Sequence, residues 1–114
     1  MGGLYYSLTM VRTREQILEE RKLLKAEYGC LFDDLSALLF RHDPIGINFD
    51  VNPDEYEPEV GTILPRLRDC RSTSDVLQTV YEEFVRWFGA ETAGPQEHYA
   101  HIAEEIWRLW HTSR

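Results

Sequence analysis

Leu77, Val80, Tyr81, Phe84, Val85 and Phe88 recur at intervals of three and four residues, a spacing that places all six on one side of an α-helix. This stripe constrains the fold more than any other feature of the chain. Six large apolar side chains on one face must be covered by other elements. Ser72 and Ser74 offer hydroxyls at the start of the helix, and Asp75 follows Ser72 by three residues in the manner of a capping box. Gly89 is placed to end it.

The same period recurs along the chain. Leu31, Phe32, Leu35, Leu38 and Leu39 form a second stripe in CLFDDLSALLFRH, which must stop before Pro44 because the residue ahead of a proline is pushed out of the helical region. REQILEERKLLKAEY, capped at Thr13 and closed by Gly29, carries only a ragged set of Ile17, Leu18, Leu23, Leu24 and Tyr28, which predicts a peripheral helix. Tyr56, Val60, Ile63, Leu64 and Leu67 keep helical spacing with Pro58 in the first turn. Within that helix the ring of Pro65 presses on the carbonyl of Gly61, predicting a kink near Gly61–Pro65 or, alternatively, a break. After AETAGP, read as a short linker, a last helix from Pro95 aligns Tyr99, Ile102, Ala103, Ile106, Leu109 and Trp110. No segment alternates as a strand would. The expected fold is all-α, a small bundle of four to five short helices, with a flexible tail at 1–12 and a single helical domain at 13–114.

The chain has 114 residues, 43% of them hydrophobic and 28% charged, as in one globular domain. No apolar run approaches the length of a membrane span, and MGGLYYSLTM lacks the regions of a signal peptide. The expected location is therefore cytoplasmic, with Cys30 and Cys70 reduced. Twenty acids against twelve Lys plus Arg give a net charge of −8. That balance opposes nucleic acid and anionic membrane and favours a basic protein partner. Arg66, Arg68 and Arg71 make only a small basic patch.

RHDPIGINFDVNPDEYEPEV concentrates carboxylates between two helices. Asp50, Asn52 and Asp54 match the first ligand positions of an EF-hand, but Glu55 stands where glycine is needed and Gly61 where a bidentate glutamate is needed. Acids opening a helix, where its dipole welcomes them, are the better reading. His98, His101 and Glu105 lie along one flank of the last helix and are the candidate metal ligands. No further strong ligand accompanies them, so solvated flank histidines are the alternative. Nucleophile-elbow, P-loop, dinucleotide and C-x-x-C motifs are missing from the sequence, so no catalytic residue and no cofactor is assigned. Trp87 and Trp107 fall off the main stripes of their helices, either filling a second packing layer or serving as interface anchors.

The block LLFRHDPIGINFDVNPDEYEPEVGTILPRLRDCRSTSDVLQTVYEEFVRWFG resembles a family of short bacterial helical proteins of unknown function. Members carry D-P-I-G-[IV] after a leucine-rich helix and then D-E-Y, here Asp43-Pro44-Ile45-Gly46-Ile47 and Asp54-Glu55-Tyr56. Some relatives look like immunity-type proteins of bacterial toxin systems. Physically the first motif reads as a helix terminator and tight turn. Asp43 caps locally, Pro44 fixes φ, Gly46 supplies permissive backbone, and Ile45 and Ile47 plug the core. Tyr56 is expected to turn its ring inward with its hydroxyl at the edge.

These readings converge on a small acidic protein-binding protein. Its contact surface would comprise Asp50, Asp54, Glu55, Glu57 and Glu59, with Trp87 or Trp107 as anchor, and its sharpest form is an immunity protein covering a basic toxin. Two alternatives stand beside it. One is a metal sensor or small metal-dependent enzyme using His98, His101 and Glu105; the other is a structural homodimer pairing through its exposed aromatic face.

Overall fold

The computed structural model describes residues 14–46 and 56–112. They form α1 (Arg14–Tyr28), α2 (Cys30–His42), α3 (Glu57–Leu67), α4 (Thr73–Phe88), the short α5 (Ala90–Ala93), a 3-10 turn (Gln96–Tyr99) and α6 (Ala100–Thr112). There is no strand among the described residues, and the protein is an all-α bundle. No helix among them is long and apolar enough to cross a membrane.

α4 is the hub, packing on α3, α5 and α6, while α2 bridges α1, α3 and α6. The core draws Phe32, Leu35 and Leu39 from α2, Val60, Ile63 and Leu64 from α3, Val76, Val80 and Phe84 from α4, and Ile102 and Ile106 from α6. Tyr56 and Tyr99 are the largest side chains buried among them. The stripes of α2 and α3 are buried at every position named from their spacing. α4 is rotated relative to its stripe: Thr79 and Glu83 are buried, while Leu77, Tyr81, Val85 and Phe88 are only partly covered. A helix packed on both sides is covered over an arc wider than its apolar face, so polar residues at the edge of the stripe are enclosed too.

Local signals set the ends of the elements. Ser72 Oγ accepts the Asp75 N–H at 3.2 Å, capping α4. Gly29, at φ 59°, closes α1 by donating its N–H to the Lys25 carbonyl at 2.8 Å. α3 runs unbroken across Pro65 to Leu67, so the alternative of a break does not occur. Gly61 serves a packing purpose as well, since a Cβ there would stand 3.4 Å from Leu24 Cδ1 of α1. α1 is peripheral, with Leu18 and Leu23 exposed and Leu24 and Tyr28 against the core.

The segment read as a linker folds instead. Ala90–Ala93 is a helical turn with Ala93 buried, and the final helix opens with the 3-10 turn rather than as α-helix from Pro95. The cause lies in Tyr99, which is fully buried and donates its hydroxyl to the Ala93 carbonyl at 2.5 Å. Burial, with a smaller effect from Tyr81, pushes this phenol up to about 12. An unfolded tyrosine titrates near pH ~10, so this contribution is complete below that pH and lost as pH rises toward 12. A shift of that size corresponds to about 2–3 kcal/mol. The ultraviolet titration of the wild type should contain a late phenol that Tyr99→Phe lacks. A wild-type minus Tyr99→Phe difference centred near pH ~10, the value of a free phenol, would show that Tyr99 ionises freely.

Candidate functional site

α2 ends at His42, and the D-P-I-G motif turns the chain. Asp43 adopts the left-handed conformation, φ 47°, and donates its N–H to the Leu39 carbonyl at 2.8 Å. It is the one non-glycine residue with positive φ among the described residues. Gly46 N–H bonds the Asp43 carbonyl at 3.2 Å, closing the turn. Tyr56 donates its hydroxyl to Asp43 Oδ1 at 2.7 Å, and its fully buried ring lies 6.0 Å from that of Phe84. The hydroxyl is thus inside the fold and not at its edge. Ile45 packs on the core; Ile47 lies outside the described residues.

Two further bonds tie this turn to the last helix. His98 Nε2–H donates to the Pro44 carbonyl at 2.7 Å. Glu105 accepts from His42 Nε2 at 2.5 Å and from Arg41 at 2.6 Å. Burial alone would raise the Glu105 carboxyl, but the hydrogen bonds and charges of His42 and Arg41 outweigh it and hold the group below its ordinary value.

The three candidate metal ligands are therefore committed separately. His98 serves the turn, Glu105 serves the end of α2, and the His101 side chain is 91% exposed beside Glu104 at 3.6 Å. Their partners account for the separation: His98 is held by the Pro44 carbonyl and Glu105 by Arg41 and His42, while His101 faces outward. Among the described residues no group of three or more His, Cys, Asp or Glu side chains is placed to hold a metal ion.

The acidic surface also differs from its sequence reading. Asp50, Asp54 and Glu55 lie outside the described residues. Glu57 and Glu59 are only 8% and 3% exposed, so they are not an outer contact surface. α1 covers the start of α3, and Glu57 is gripped there by Arg21 at 3.2 Å and Lys25 at 3.4 Å. Two arginines of the basic patch are likewise paired within the fold, while Arg71 is exposed. Arg66 forks to Glu82 at 2.7 Å and Glu83 at 2.8 Å, and Arg68 reaches Glu27 and the Tyr28 hydroxyl. The hydrogen bond to Arg66, helped by one from Gln78, holds Glu82 below the usual carboxylate range. Glu83 had no role in the sequence reading; its only signal was its position beside Phe84, four residues after Thr79 at the edge of the α4 stripe.

The two tryptophans separate clearly. Trp107 is partly buried against the core, its ring edge-on to His111 at 4.2 Å between centroids. Trp87 is 45% exposed, near the end of α4. Its indole N–H donates to Thr62 Oγ1 at 3.0 Å, and the Thr62 hydroxyl donates to the Glu59 carbonyl at 3.1 Å. The ring is thus held in one orientation by α3 while much of it faces outward. No family model matches the chain, and no curated protein or solved structure is significantly similar to it.

Proposed function

We propose that the chain is a small protein-binding protein that meets a basic protein through an acidic surface anchored by Trp87. In its sharpest form it is an immunity protein that covers the active site of a basic toxin. Trp87 carries this reading. A large aromatic left exposed, with its only polar group already satisfied by Thr62, offers contact area whose orientation costs little further entropy to fix. The net charge of −8 favours fast encounter with a basic surface. Asp50, Asp54 and Glu55 are the acids that remain for the contact, Glu57 and Glu59 being buried.

The test is capture of partners from host lysate at low and moderate salt, followed by affinity measurements with the purified partner. Trp87→Ala should weaken binding by about 2 kcal/mol, roughly thirtyfold. Asp54→Lys with Glu55→Lys should slow association and flatten its salt dependence. A partner that binds both variants as it binds the wild type would refute this surface.

A further inference from the structure

A groove of about 350 Å³ runs between α2 and α6. Its floor is Ala37, Leu38 and Leu109; Asp34 and Arg41 stand on the α2 wall, Glu105 and Arg108 on the α6 wall. The two helices run in opposite directions. Pro44, past the end of α2, meets His98 ahead of α6, whereas Arg41 meets Glu105 within it. Three residues onward in α6 therefore lie opposite three residues back in α2, which puts Arg108 level with Leu38 and about one turn from Asp34. At one end of the groove Arg41 and Glu105 neutralise each other at 2.6 Å. Toward the other end, Asp34 and Arg108 are exposed, and neither side chain makes an ion pair or hydrogen bond among the described residues.

We propose that this groove is the surface through which two copies of the chain pair about a two-fold axis. In such an interface each contact occurs twice, so the surface must complement itself. An axis crossing near Ala37 lies between the levels of Asp34 and Arg108 and sets Arg108 of each copy against Asp34 of the other. Alanine at the crossing carries no side chain beyond Cβ to hold the copies apart. Local charge favours the same occupant. The four charged groups of the groove sum to zero in a chain of net charge −8, so copies meeting here avoid the repulsion that opposes approach through an acidic face. The surface is distinct from Trp87, and the pairing does not depend on a heterotypic partner.

Sedimentation equilibrium of the full chain, from micromolar to several hundred micromolar, tests the proposal. The wild type should self-associate, and Asp34→Arg and Arg108→Asp should each weaken association by about tenfold or more, two attractive pairs having become repulsive. Mixed in equal amounts, the two variants should pair with each other, because one brings only positive and the other only negative groups to those positions. Trp87→Ala should leave association unchanged. A wild type monomeric throughout, single variants that associate normally, or a mixture that stays monomeric would overturn the proposal. Loss of association in Trp87→Ala would overturn it in favour of the aromatic face.

Discussion

Truncating Arg66 to alanine is expected to lower stability by about 3 kcal/mol, because it strands a buried carboxylate. Glu83 is 1% exposed, and its Oε2 accepts from Arg66 at 2.8 Å. Its Oε1 is buried with no hydrogen-bond partner among the described residues. Arg86 is the other cation beside it, an exposed side chain 3.8 Å from Oε2. The guanidinium of Arg66 reaches both Glu82 and Glu83, and its hydrogen bond to Glu82, reinforced by Glu83, raises its own pKa against the opposing effect of burial. Arg66→Lys should recover only part of the loss, since an ammonium cannot present the same planar fork. Replacing both partners, Arg66→Met with Glu83→Leu, should restore most of it, because no charge is then left desolvated. Urea unfolding of the variants checks this. A cost below about 1 kcal/mol for Arg66→Ala would mean that Arg86 satisfies the carboxylate unaided.

Tyr56→Ala should be costlier still, about 4 kcal/mol, because it removes a fully buried ring in contact with Phe84 and opens a cavity between α2, α3 and α4. Tyr56→Phe keeps the ring and isolates the hydroxyl, for an expected cost of about 1–2 kcal/mol. Substitutions at Asp43 then test the turn itself. Asp43→Ala loses the acceptor for Tyr56 and leaves a Cβ-bearing residue at φ 47°. Asp43→Gly loses the same acceptor but relaxes the backbone, so it should be the milder change. Unfolding midpoints in the opposite order would show that the left-handed conformation stores no strain.

The local signals were legible wherever their cause was local. Stripes at α2 and α3, the hydroxyl of Ser72, the glycine at 29 and the proline at 44 all act through neighbours within a turn or two. Other features depend on a distant element. Glu57 reads as a solvated acid until Arg21 and Lys25 of α1 close on it. Glu83 is an unremarkable edge residue of α4 until Arg66 of α3 folds over it. AETAGP reads as linker until the Tyr99 hydroxyl reaches Ala93. His98, His101 and Glu105 share a flank on an ideal helix, but Pro44 holds the first, Arg41 and His42 hold the last, and His101 is left exposed.

By itself, then, the amino-acid order determined an all-α chain, the places where most helices begin and end, and most of the apolar side chains that would meet in the core. Periodicity, capping and the fixed φ of proline act along the backbone and need no partner. Only the tertiary structure decided which acids are buried, which tryptophan is exposed and which opposite charges line one groove. Those properties belong to pairs of helices: the same carboxylate is solvated or enclosed according to what packs across from it.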